Sequence, residues 1–282
     1  MGSAGRRDAS EDDMSSDRLQ GKVAWISGGT SGIGEAAAEL FAEEGAAVAI
    51  VGRRGELGQE IADRIAKAGG RAIATACDVA KADQVRDSIA KTVEAFGRLD
   101  IVVNNAGMAV VQPLDEAEEA DWDRIMDVNV KSMYLATKYA MPHLRKAGRS
   151  YIVNVGSISS FVGQAGTPIY TTSKHAVLGL SRSIALDFAV DGVRCNCVCP
   201  GITDTPMLRG HGEAFGDADA IIANRLKRTP MGVALSPLDV AKSILFFSCE
   251  DSAGVTGTSL TIDCGYLTAA EWFTEGKTPF ME

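Results

Sequence analysis

The chain has 282 residues, a net charge of −9 and a pI near 5.0, with 46% hydrophobic and 23% charged side chains. That length suits one large domain, and the acidic balance argues against nucleic acid or anionic membrane as a principal partner. Six cysteines at these spacings make no disulfide framework, and no apolar run reaches the roughly 18 residues of a membrane span, so a reducing cytoplasm is the expected compartment.

The opening MGSAGRRDASEDDMSSDR, residues 1–18, is polar, lacks an apolar signal core and reads as a disordered tail. Beyond it, short apolar runs alternate with amphipathic stretches. The runs are KVAWIS, AAVAIV, RAIATAC, LDIVVNN, SYIVNV, VRCNCV and SLTID, bounded by Gly, Asn and Asp. Helical patterns fall between them at about 32–44, 55–68, 82–96, 119–146, 169–190 and 237–248. Seven such runs predict a three-layer, doubly wound α/β fold, with a seven-stranded parallel sheet and helices on both faces. Right-handed crossovers then put ligands at the carboxyl ends of the strands. The predicted domain covers 19–267, leaving 268–282 as a C-terminal tail.

The first run leads into SGGTSGIGEAAAELFAEEG. Gly28, Gly32 and Gly34 permit a tight turn and close approach of backbone to a pyrophosphate, and the N–H groups opening the next helix attract its charge. Thr30, Ser31 and Ile33 share that turn, and Ala37 allows the helix to lie close on the sheet. Such a string alone is a common turn; its place between first strand and first helix points to a dinucleotide and a Rossmann fold. At the end of the second strand, where a carboxylate would bind a ribose 2′-hydroxyl, the chain reads AIVGRRGE. Arg53 and Arg54 suit a 2′-phosphate, favouring NADP(H), although two arginines opening a solvated helix leave NAD(H) open.

Further along, Asn129 lies in WDRIMDVNVKSMYL, amid an apolar stripe of Ile125, Met126, Val130 and Met133. The run SYIVNV ends at Ser157, thirteen positions before Tyr170. In IYTTSKH, residues 169–175, Tyr170 and Lys174 stand one helical turn apart, about 6 Å along the axis. A free phenol ionises near pH 10, roughly, but a neighbouring ammonium and an oxidised nicotinamide ring both favour its phenolate. Tyr170 then becomes a usable acid and base. Serine at a strand end is commonly just a turn residue, but beside YTTSK the Ser157 hydroxyl is expected to hold the substrate oxygen.

VRCNCVC carries Cys195, Cys197 and Cys199. Its period-two spacing is taken to turn successive sulfurs to opposite faces of a core strand, and with no CxxC or His nearby no metal site is expected. From Thr203 to Leu235 no strand signal appears, which reads as a substrate loop or lid, with a plain surface excursion as the alternative. FVGQAG and Phe215 suggest a moderately apolar pocket.

Taken together, SGGTSGIG, the CDV of 77–79, the NNAG of 104–107, Asn129, Ser157, YTTSK and PGITDTP resemble the short-chain dehydrogenase/reductase family in its single-domain branch, over about residues 19–267. Ser31 stands where the extended branch, which includes sugar epimerases, carries a middle glycine. The resemblance implies an oxidoreductase exchanging hydride between a nicotinamide cofactor and a secondary alcohol or ketone. It implies Tyr170 as acid and base, Lys174 on the nicotinamide ribose, and Asn129 holding a relay water. Asp78 and Val79 would meet the adenine, Asn105, Ala106 and Gly107 the ribose and pyrophosphate, and Pro200, Gly201, Thr203 and Thr205 the nicotinamide end. A catalytically silent nucleotide-binding regulator is the alternative, although such proteins usually lack the tyrosine or the lysine. Relatives commonly form tetramers through helices near 113–146 and 169–190, and the apolar Trp272, Phe273, Phe280 and Met281 of the tail suggest a subunit contact.

Overall fold

A computed structural model describes residues 17–214 and 216–269. The predicted N-terminal tail through residue 16, Phe215, and the apolar tail residues from 270 onward lie outside the described residues.

Seven strands form one parallel sheet: β1 (Val23–Ser27), β2 (Ala47–Gly52), β3 (Arg71–Ala76), β4 (Ile101–Asn104), β5 (Ser150–Val155), β6 (Val193–Pro200) and β7 (Ser259–Ile262). Their spatial order is β3-β2-β1-β4-β5-β6-β7, so the winding reverses between β1 and β4. That reversal opens a crevice at the carboxyl ends of these two strands.

The helices are α1 (Gly32–Glu43), α2 (Gly55–Lys67), α3 (Ala82–Phe96), α4 (Glu119–Met126), α5 (Ser132–Ala147), α6 (Pro168–Phe188), α7 (Pro206–Ala214), α8 (Ala218–Leu226) and α9 (Pro237–Phe246). Both sheet faces are covered, which is why the strands read as continuous apolar runs. Ala24, Ile26, Val48 and Ile50 pack with Phe41 of α1, Ile61 of α2 and Ile244 of α9. The alternate residues Val23, Trp25, Ala47 and Ala49 pack on the other face with Ile89 of α3, Leu135 of α5 and Ile184 of α6. The Trp25 indole N–H finds Ser88 Oγ at 3.1 Å, so this large ring is buried with its donor satisfied.

Two expectations need correction. The stretch read as one helix over 119–146 is α4, a π turn over Asp127–Lys131 and then α5, with Ser132 N–H reaching the Asp127 carbonyl five residues back. The sulfurs of Cys195, Cys197 and Cys199 do not alternate between faces. Residues two apart on a strand share a face; all three are buried toward the α5 and α6 layer, with Cys197 Sγ 3.6 Å from Cys199 Sγ. Burial pushes the Cys195 thiol up from its ordinary value, as suits an apolar core position.

Among the described residues, the segment between Thr203 and Leu235 carries no strand beyond an isolated bridge that pairs those two residues at its neck. It does hold two short helices, α7 and α8, which the loop reading did not contain. Asp217 caps α8 by accepting from Asp219 N and Ala220 N. Arg209 grips Asp204 through two bonds of 2.6 and 2.7 Å and holds its carboxyl below the usual range, so this tie stays charged at neutral pH.

Candidate active site

A cleft of about 930 Å³ runs along the carboxyl ends of β1, β2, β4, β5 and β6 and continues under the Thr203–Leu235 segment. Its wall begins at the glycine turn. Gly28 and Gly32 adopt φ of 64° and 58°, left-handed values that a side chain would strain. Asn105, just past β4, donates its amide to the Ser27 and Gly28 carbonyls at 3.1 and 3.2 Å, stitching the turn to the switch point. Ser27, which stands where the family's glycine turn carries threonine, accepts from Asn105 N and Ala106 N and so fixes the next wall segment.

Ser31 precedes α1 with no side-chain cap, leaving the first N–H groups of the helix to whatever enters the cleft. Its hydroxyl instead accepts from Arg54 Nη2 at 2.7 Å, and the same guanidinium reaches Thr30 Oγ1 at 3.2 Å. Arg53 is exposed and has no hydrogen bond or ion pair among the described residues. One arginine therefore braces the turn and the other is a free cation at the cleft edge. Asp78 accepts from Ala80 N at 3.0 Å through one carboxylate oxygen, beside Val79.

Tyr170 and Lys174 face the cleft from α6, whose Pro168 sits in the first turn. Lys174 is nearly fully buried, donates to the Val155 carbonyl at 2.8 Å, and lies 5.6 Å from the Tyr170 ring centroid. The Tyr170 hydroxyl has no hydrogen-bond partner among the described residues, and it borders open cleft. Ser157 lines the same stretch of wall; its Oγ accepts from Ser159 N at 3.1 Å, so it serves as a turn residue as well.

Of the residues singled out in the sequence, Gly28, Thr30, Ser31, Gly32, Ile33, Arg53, Arg54, Asp78, Val79, Asn105, Ala106, Gly107, Ser157, Tyr170, Lys174, Pro200, Gly201, Thr203 and Thr205 line the cleft. Gly34 and Asn129 do not. A Cβ on Gly34 would collide with the Gly28 carbonyl, 2.7 Å from its carbon, so this glycine lets α1 pack under the turn. Asn129 is fully buried in the π turn; its Oδ1 accepts from Met108 N at 2.8 Å, and its Nδ2 donates to Met108 O and Ser173 Oγ, each at 2.9 Å. Ser173 in turn donates to the Tyr170 carbonyl at 2.7 Å. Both amide hydrogens are thus spent, and the side chain acts as a brace between the wall at Met108 and the helix that carries Tyr170. The Thr205 hydroxyl accepts from Leu208 N at 3.3 Å, in the manner of a cap at the start of α7.

Comparison with known proteins bears on what this wall is for. The family model described as enoyl-(acyl carrier protein) reductase matches residues 28–267. An uncharacterized oxidoreductase of Thermotoga maritima is 42% identical over 248 residues, covering 88% of this chain and 98% of its own. The chain belongs to the short-chain dehydrogenase/reductase family. It is an oxidoreductase of the class acting on CH–OH groups. A short-chain type dehydrogenase/reductase from Mycobacterium marinum superposes with a TM-score of 0.83 at 31% identity, covering 89% of this chain and 97% of that one. The cis-4-hydroxycyclohexanecarboxylate dehydrogenase of Sinomonas cyclohexanicum is 38% identical over 246 residues, or 87% of this chain and 96% of that protein. Among the described residues no helix is long and apolar enough to cross a membrane.

The wall suits the nicotinamide dinucleotide that this family implies: an uncapped helix start for a pyrophosphate, a carboxylate at Asp78 for an amine, and unspent cationic donors at Arg53. Lys174 spends one of its three N–H bonds on Val155, which leaves two toward the cleft.

Proposed function

We propose that this short-chain dehydrogenase/reductase interconverts a secondary alcohol and its ketone with NADP(H) preferred over NAD(H). When bound, the nicotinamide ring supplies or accepts the hydride. In reduction the Tyr170 hydroxyl gives its proton to the carbonyl oxygen while Ser157 donates to the same oxygen; in oxidation Tyr170 takes the proton back. Lys174, fixed to the end of β5, stabilises the phenolate left behind and holds the cofactor ribose. Asn129 and Ser173 are positioning residues that set the height of Tyr170 against the wall.

The observation that carries this reading is the convergence of Ser157, Tyr170 and the buried Lys174 on one cleft that begins at the glycine turn. The Sinomonas relative, which by its name acts on a ring secondary alcohol, supports the substrate class. The test is a panel of ketones and alcohols with NADPH, NADH and their oxidised forms, followed at roughly 340 nm, the reduced nicotinamide band. Cofactor binding with no substrate-dependent signal across the panel would instead identify a silent nucleotide-binding regulator.

Arg53 is the specificity residue for the cofactor on this reading. Arg53→Ala should weaken NADPH binding by about tenfold or more and NADH by little, as for loss of one charge-assisted phosphate contact. Equal losses for both would remove that role; Arg54, already engaged with Thr30 and Ser31, is the lesser contributor.

The protein is further proposed to be a cytoplasmic homotetramer. All six cysteines are free thiols, as a reducing compartment would keep them. Trp122 on α4, Tyr134 on α5 and Leu186 on α6 are exposed, the last by 81%, on the helices that would meet a second copy. Light scattering should give four times the chain mass of 29.6 kDa, and a monomeric mass would exclude the assembly.

A further inference from the structure

The cleft continues past Tyr170 beneath α7 and α8, where Met207, Leu208 and Ile221 line it with apolar side chains. One charged residue joins them from the same segment: Arg225, four positions after Ile221 on α8 and therefore on the same helix face. Arg225 is half-buried, and its guanidinium makes no hydrogen bond or ion pair among the described residues. Three carboxylates of the same segment are engaged elsewhere: Asp204 and Asp219 by Arg209, and Asp217 by the N-terminus of α8. The acidic residues that line the cleft, Asp78, Asp123 and Asp127, stand on other elements, two of them on α4 and its π turn, and Asp127 is paired with Lys131.

A last-turn arginine does suit the helix dipole, but that accounts only for its charge. It gives no reason to face an apolar pocket rather than water. A guanidinium cannot shed its proton, and its planar fork matches a carboxylate through two parallel bonds. Half-buried without a carboxylate partner, the planar fork is left unpaired at the cleft wall.

We propose that Arg225 anchors a carboxylate of the substrate, so that the substrate is a hydroxy or oxo acid with an apolar body. The body lies against Met207, Leu208 and Ile221, the reacting oxygen points to Tyr170 and Ser157, and the carboxylate at the far end closes α8 over it. This rests on the oxidoreductase reading above and adds to it the polarity of the substrate and the residue that selects it.

The test is calorimetric and needs no turnover. Enzyme saturated with NADPH, or in parallel NADH, is titrated with cyclohexanecarboxylate and with cyclohexanecarboxamide, which match in shape and differ in charge. Wild type should prefer the acid by about tenfold or more, as for one charge-assisted bidentate contact. Arg225→Leu should abolish that preference, and Arg225→Lys should keep part of it. Both variants should bind NADPH as wild type does and melt at an unchanged temperature. An acid that binds no better than the amide, or not at all, would overturn the proposal. So would an Arg225→Leu enzyme that loses NADPH affinity while its acid preference persists, since the guanidinium would then serve a cofactor phosphate. Failure to bind any nicotinamide nucleotide would strike the oxidoreductase reading instead, and is seen before the acid is added.

Discussion

Tyr170→Phe should lower kcat by about a thousandfold, the range expected when a positioned acid and base is removed, or about 4 kcal/mol in the barrier. The Tyr170 hydroxyl has no partner among the described residues, so removing it breaks no hydrogen bond of the fold. The ring that remains still covers Lys174, whose ammonium lies 5.6 Å from its centroid, and Lys174 keeps its bond to Val155. Melting temperature and cofactor affinity should therefore stay at wild-type values, and steady-state kinetics beside a fluorescence titration checks both. Wild-type turnover in the variant would remove Tyr170 from the chemistry.

Asn129→Ala should behave in the opposite way, costing both stability and rate. The side chain satisfies the Met108 N–H and carbonyl and the Ser173 hydroxyl, all at 2.8 to 2.9 Å in a fully buried site. Stranding buried polar groups costs about 1–3 kcal/mol each where no water can enter, so a net loss of about 3 kcal/mol is expected. For a domain of this size that corresponds to a fall of roughly 6–12 °C in Tm. Release of Met108 and Ser173 also frees the α6 turn that carries Tyr170, and a misplacement there of about 1 Å can lower kcat by roughly a hundredfold. Calorimetry and kinetics on one preparation check both halves. A variant as stable and as active as wild type would show that the brace does not matter.

The sheet was legible because both of its faces are covered, which turns each strand into an unbroken apolar run, and because Gly, Asn and Asp punctuate the ends. The cleft wall was legible for the same reason: motifs such as NNAG and YTTSK sit where strands stop. Other features depend on geometry that a linear pattern does not carry. The π turn at 127–131 shifts the helical register by one residue without disturbing the apolar stripe. Gly210, Gly212 and Gly216 masked α7 and α8 as loop, although Asp217 was a readable cap for the second. The cysteines of β6 were misassigned because residues two apart share a face. The roles of Ser173 and Ser27 were not legible because each works through a neighbour's main chain, and a buried serine within a helix or at a strand end has no distinctive sequence signal. Arg225 escaped notice too, since its meaning lies in the counterion that is missing rather than in any spacing.

On the proposed mechanism, a ketone held at Ser157 and Tyr170 receives hydride at its carbonyl carbon and a proton at its oxygen. The most direct measurement uses the best ketone of the panel and reduced cofactor labelled with deuterium on each face of nicotinamide C4 in turn, with mass spectrometry of the alcohol. One label should appear on the carbinol carbon, with stoichiometry near one per turnover, and the Tyr170→Phe enzyme should form little product. An alcohol unlabelled at carbon with either cofactor, or one labelled equally well by the Tyr170→Phe enzyme, would contradict the account.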